Sequence, residues 1–183
     1  MKVAILFAQK FSVYRGVSGV EVYDQKRDAR SFTGGMPVVA HPPCRSFGRL
    51  RHLAKHAGGD FELARLAISA VRWCGGVVEH PEFSLMWPAF GLPFPGRVDD
   101  EGGWTLALDQ LWFGHRAQKR TWLYINGVRP DEVPQLPYSL AYAAVTVDRL
   151  GREERERTPS AFALWLVELA RRCRGRQGVI PGC

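Results

Sequence analysis

Apolar residues run along this chain in short unbroken blocks divided by polar punctuation, and the blocks set the elements. Residues 2–8, KVAILFA, suit a first strand buried on both faces. The stretch GVEVYD (19–24) reads as a second strand ending in Asp24. MPVVAHPP (36–43) reads as a third, halted by prolines that cannot donate to a ladder. DFELARLAISAVRWCGG (60–76) predicts a helix, with Asp60 as N-cap, Phe61, Ala64, Ile68 and Val71 along one face, and Gly75 and Gly76 ending it. GVVEHP is a short buried strand ending in the polar pair Glu79–His80. RTWLYINGV, β-branched and aromatic, is a strand closed by Asn126-Gly127. RTPSAFALWLVELARRCRG predicts a last helix, capped by Thr158, with Pro159 at its first position and Arg171, Arg172 and Arg174 at the negative end of its dipole.

Strands alternating with helices predict an α/β fold, a mostly parallel Rossmann-like sheet flanked by helices, in one domain over residues 1–183. Segment 81–108, rich in Pro, Gly and aromatics, reads as a long ordered loop with Trp87 and Trp104 in its core. The charged run 149–158 reads as solvated, and 175–183 as a flexible tail.

Composition narrows the class. The chain has 183 residues, 46% hydrophobic and 23% charged, which excludes a disordered polymer. No apolar run reaches the ~18 residues of a membrane span. The opening MKVAILFAQK turns polar too soon for a signal peptide. A cytoplasmic protein of a bacterium or a phage-infected cell is expected. Cys44, Cys74, Cys173 and Cys183 lack metal-ligand spacing, and the five histidines add none, so free thiols and no metal site are expected. The net charge of +7 favours a polyanionic partner, nucleic acid first. Arg45, Arg49 and Arg51 beside Cys44, and Arg116 and Lys119 before the 121–126 strand, are the candidate phosphate contacts.

Ligands of open α/β sheets sit at the carboxyl ends of strands. Here one such end carries Cys44 and the next Glu79-His80, while FGHRAQKR supplies donors nearby. A thiolate, a carboxyl group and a guanidinium in one crevice suit conjugate addition to a pyrimidine. The thiolate attacks carbon 6, the carboxyl group bonds nitrogen 3, and the guanidinium holds the carbonyl at position 2. Arg45 and Arg49 would lower the thiol pKa. An apolar strand feeding into Glu79 favours a semi-buried carboxyl fit to donate a proton.

These residues resemble a known family. PPCRSF is similar to the Pro-Pro-Cys-x-x-Phe nucleophile loop of DNA cytosine-5 methyltransferases. VVEHP resembles their Glu-Asn-Val strand end, with His80 where Asn is usual. FGHRAQKRTWLYI resembles their Gln-x-Arg-x-Arg stretch, with Phe113, Gly114, Gln118 and Arg120 matching and Trp122 in place of the last Arg. The resemblance implies a reduced methyltransferase core. Cys44 would be the nucleophile, Glu79 and Arg120 its catalytic partners, and Pro43, Gln118 and His80 would position the base and the loop. It implies S-adenosylmethionine as donor, near Phe7, Asp24 and Asp28. The chain departs from the family in two places. LFAQKF lacks the glycines of the cofactor turn, and about 30 residues after Tyr124 leave no room for a target-reading region. An accessible base in DNA, or a partner protein that selects the target, is therefore expected. The alternative is an inactive member that binds nucleic acid or a partner protein. The stretch AHPPCR…GRLRH also resembles small phage proteins.

Overall fold

The computed structural model describes residues 1–48, 59–140, 142–143, 145–176, 178 and 180. Arg49 and Arg51 lie outside the described residues.

Four short apolar runs form the first strands: β1 (Val3–Leu6), β2 (Val20–Tyr23), β3 (Val38–Ala40) and β4 (Gly76–Pro81). β5 (Trp104–Asp109) and β7 (Arg120–Asn126) complete a six-stranded mixed sheet in the order β2-β1-β3-β4-β7-β5. β1 to β4 run parallel; β7 is antiparallel to both its neighbours, so β5 regains the common direction. Five strands thus end on one edge of the sheet, and β7 begins there. The chain is α/β, as its alternating runs predict.

Two helices cover the faces. α1 (Asp60–Cys74) packs on β3 and β4, and α4 (Ser160–Arg172) packs on β4, β3 and β1 from the other side. The period of two sorts the strands between them. Val38, Ala40, Val78, Trp122 and Tyr124 face α1, while Val39, Val77, Leu123 and Ile125 face α4. Gly76 lies against β3 so closely that a Cβ there would overlap the Val38 carbonyl. Its φ of 134° also suits glycine alone.

Several local expectations are corrected. Gly59, in the left-handed region, precedes α1, and Asp60 begins the helix fully buried. Its carboxylate holds the loop after β3 instead, accepting from Arg45 Nη2 at 3.0 Å, the Ser46 amide at 3.2 Å and Ser46 Oγ at 2.9 Å. α4 begins one residue after Pro159, which stands at its N-cap, so Thr158 does not cap it. Segment 81–108 is not all loop. It holds the short helix α2 (Met86–Ala89) and most of edge strand β5, with Trp87 fully buried and Trp104 half-buried. Proline and glycine density hid the period of two in WTLALD. The expected flexible tail sends Ile180 into the α1-side core, its amide bonding the Thr33 carbonyl at 2.9 Å. A small parallel pair, β6 (Ala117–Gln118) with β8 (Val145–Thr146), lies beside the main sheet. The charged run contains α3 (Arg152–Glu156) and is not simply solvated.

Candidate functional site

The carboxyl edge collects polar residues by continuing the α4-facing columns. His41 follows Val39 by two, Glu79 follows Val77 by two, Gln110 follows Leu108 by two, and Thr121 precedes Leu123 by two. All four therefore meet on one face, and they bond to one another. His41 Nδ1 lies 3.0 Å from Glu79 Oε2, and Gln110 Nε2 donates to Glu79 Oε1 at 3.1 Å and to Thr121 Oγ1 at 3.0 Å. The Thr121 hydroxyl donates to the Lys119 carbonyl at 3.1 Å. At the far end the Tyr14 hydroxyl, carried inward by the 3-10 turn Val13–Gly16, lies 2.9 Å from His41 Nε2.

This network fixes the charge on Glu79. Burial alone would raise its pKa, but the hydrogen bond from His41, then the charges of His41, Lys119 and, at the acid pH where Glu79 titrates, His80, outweigh burial and hold it at about 2. Glu79 is an ionised acceptor, not the proton donor expected from its position. With Nδ1–H given to that carboxylate, His41 Nε2 faces Tyr14, whose hydroxyl burial and the Glu79 charge raise well above the usual tyrosine range. The Tyr14 proton stays in place.

Cys44 sits at the mouth of this arrangement, exposed on the loop after β3. Its crowded surroundings, then the charges of Glu79 and Glu156, raise its pKa. This corrects the expectation of a lowered thiol: Arg45 turns to Asp60, not toward Cys44. Among the described residues, Lys119 is the cation that acts on both Cys44 and Glu79. Desolvation lowers its pKa against the attraction of Glu79, Cys44 and Glu156. Arg120 points elsewhere, 3.5 Å from Glu82 and well exposed. Gln118 lies with Arg120 and Trp112 along a shallow groove on the outer side of β7.

His80 does not orient Glu79. It points to the opposite face, beneath Phe47 of the Pro-Pro-Cys loop, with ring centroids 5.9 Å apart. It is 1% exposed, and neither ring nitrogen makes a hydrogen bond of normal geometry among the described residues. Burial lowers its pKa to about 4 against the pull of Glu79 and the Pro43 backbone, so it is neutral. Trp122, in the place of an arginine, is buried among Phe83, Trp87 and Phe94.

The three residues expected to seat S-adenosylmethionine serve the protein itself. Asp24 accepts from the Lys26 amide at 2.8 Å, the Arg27 amide at 3.1 Å and the Arg15 guanidinium. The Arg27 and Lys26 amides, ahead of the Arg15 charge, lower its pKa. Asp28 caps the turn Ala29–Ser31 through the Arg30 amide at 3.0 Å. Phe7 takes a φ of 62°, where glycine is usual, and packs its ring on the α1-side core. These residues do not fit the donor as they stand. Among the described residues no three His, Cys, Asp or Glu side chains gather to hold a metal ion, and no helix is long and apolar enough to cross a membrane.

Motif reading found Cys44 and Glu79 but missed Tyr14, His41, Gln110 and Thr121. Their signal was the column period of the strands, not any motif. Compared with known protein families and with curated proteins, the chain matches none.

Proposed function

We propose that this chain is a cytosine-5 methyltransferase-like protein that adds Cys44 to carbon 6 of a pyrimidine base in DNA. One observation carries the reading: an exposed thiol, an ionised carboxylate and a lysine stand within electrostatic reach of one another at the carboxyl edge of the sheet. The place supports it too. β2 and β3 flank β1 on opposite sides, so the winding reverses there, and such a reversal is where open α/β sheets of the Rossmann kind bind ligands. Glu79 keeps acceptor capacity beyond its two protein bonds and can take an N–H from the base edge. Lys119 offsets charge arising on the ring and on the thiolate. A duplex base must be flipped out to reach Cys44; an accessible base, or one presented by a partner protein, avoids that cost.

The addition alone is observable. Sulfur bonds to carbon 6, the ring electrons shift toward carbon 5, and carbon 5 takes a proton from solvent. Loss of the original hydrogen and expulsion of the thiolate restore the base. In heavy water a single-stranded, cytosine-containing oligonucleotide should therefore exchange hydrogen at carbon 5. The Cys44→Ala variant should abolish exchange and keep binding. Exchange that survives Cys44→Ala removes the nucleophile assignment. No step is assigned to S-adenosylmethionine, because Phe7, Asp24 and Asp28 do not present a seat for it. That observation favours one second reading, a protein that binds a nucleic-acid base without transferring to it. Binding without exchange by the unaltered protein would decide for it.

A further inference from the structure

The segment after β8 crosses the mouth of the site. α3 carries Glu153, Glu154 and Glu156, and three contacts of residues 153–157 reach residues of the site's rim. Arg116 Nη1 pairs with Glu154 Oε1 at 3.1 Å. Gln9 Nε2, on the loop after β1, lies 3.4 Å from Glu156 Oε2. Lys119 Nζ donates to the Arg157 carbonyl at 3.2 Å. The Glu156 charge also reaches Cys44. The segment thus bridges the loop beside β1 and the cations before β7, near enough to the exposed thiol for the Glu156 charge to act on it.

Nothing apolar in α3 itself holds it there. Its sequence, REERE, is polar all round, and one helical turn has little stability of its own. Its anchors are exposed polar contacts, which contribute little each and weaken with salt. What they do supply is charge complementarity: Glu154 pairs with Arg116, and the Glu156 charge attracts Lys119, at the entrance to the candidate nucleophile.

We propose that residues 152–157 form an acidic strap seated on the surface that receives a nucleic-acid backbone, with Glu154 and Glu156 standing where phosphates bind at Arg116 and Lys119, and that a single strand displaces the strap and takes the Glu156 charge away from Cys44. This rests on the nucleic-acid reading above and deepens it. A polyanion gains from releasing its own counterions when it meets these cations, an advantage that isolated carboxylates lack.

The test uses the full chain and the double variant E154Q/E156Q. E62Q/E168Q serves as a control, making the same change in net charge on α1 and α4. The first readout is anisotropy of a labelled oligo-deoxycytidine of about 12 nucleotides at about 50 mM salt. The second is iodoacetamide labelling of Cys44, followed by peptide mass spectrometry with no nucleic acid present. The strap variant should bind the strand about tenfold more tightly than both the wild type and the control. It should also label Cys44 several-fold faster, and saturating strand should slow labelling in all three proteins. Equal labelling in wild type and strap variant overturns the strap, even if both bind DNA. Faster labelling without strand binding by any protein keeps the strap's hold on Cys44 but overturns the nucleic-acid surface, and the proposed function with it. A gain shared by the control assigns the effect to net charge and overturns the specific seat.

Discussion

His80 makes the fold acid-sensitive in a defined window. Its ring is buried, with no hydrogen bond of normal geometry among the described residues, and its pKa falls from the ordinary 6.5 to about 4. The unfolded chain therefore binds a proton below pH ~6.5 that the folded chain refuses until about 4, so stability falls with pH across that interval and levels off below it. Each tenfold difference in proton affinity is worth about 1.4 kcal/mol. The loss is thus about 2 kcal/mol by pH ~5 and about 3 kcal/mol below the folded-state value. Glu79 adds its own acid loss only lower, between 4.5 and about 2, since its depressed pKa stabilises the fold above that range. The perturbation is His80→Leu, which keeps an apolar group of similar size beneath Phe47 and removes both ring nitrogens. Urea unfolding near pH 7 and near pH 5, extrapolated to water, gives the stability change for each protein. The wild type should lose about 2 kcal/mol more than the variant between the two conditions. At pH 7 the variant should be no less stable, because it no longer buries ring nitrogens that lack hydrogen bonds of normal geometry among the described residues. Losses that agree within about 0.5 kcal/mol would refute the neutral buried imidazole.

Two further outcomes test the site and its support. In Glu79→Gln the Cys44 thiol loses one of the charges that raise it; its pH profile of iodoacetamide labelling should move to lower pH, and an unmoved profile would separate the two residues. Gly76→Ala places a methyl group on the Val38 carbonyl at a φ of 134° and should cost about 3–5 kcal/mol, about 10 °C in melting temperature, read by calorimetry; a shift of only a degree or two would mean that β3 and β4 part easily.

The strands and the two long helices were legible because their apolar blocks are unbroken and their ends are marked by Pro, Gly and charge. β5 was not, because WTLALD lies among prolines and glycines that read as loop, and its pairing with β7 is set only in three dimensions. Cys44 and Glu79 could be read from strand ends alone. Their surroundings could not. Asp60 reads as a helix cap, but burial beside Arg45 and Ser46 makes it the clamp of the Cys44 loop. His80 sits next to Glu79 in sequence, yet the strand alternation sends the two to opposite faces. Arg120 carries the motif match, but the edge geometry gives it to Glu82 and leaves Lys119 facing the thiol. The charged run 149–158 hid its contacts because each partner is more than 30 residues away in sequence.

The same arrangement makes the resting state unfavourable to the thiolate. Burial and two carboxylates, Glu79 and Glu156, raise Cys44 against a backbone hydrogen bond and the Lys119 charge, which lower it. A nucleophile held in this way stays protonated and slow until something removes negative charge from around it. A base that gives an N–H to Glu79 shields one carboxylate, and a backbone that takes the seat of the strap carries Glu156 away. The two events come from the two ends of one ligand, its base and its phosphates. Activation then depends on a complete nucleotide within a strand, since a free base lacks the phosphates and a bare polyphosphate lacks the base. Iodoacetamide cannot separate these contributions, because a bound strand shields the thiol it activates. Carbon-5 exchange can: free deoxycytidine at equal occupancy should exchange far more slowly than the same base in a strand, and equal rates would mean that the carboxylates do not hold the thiol in check.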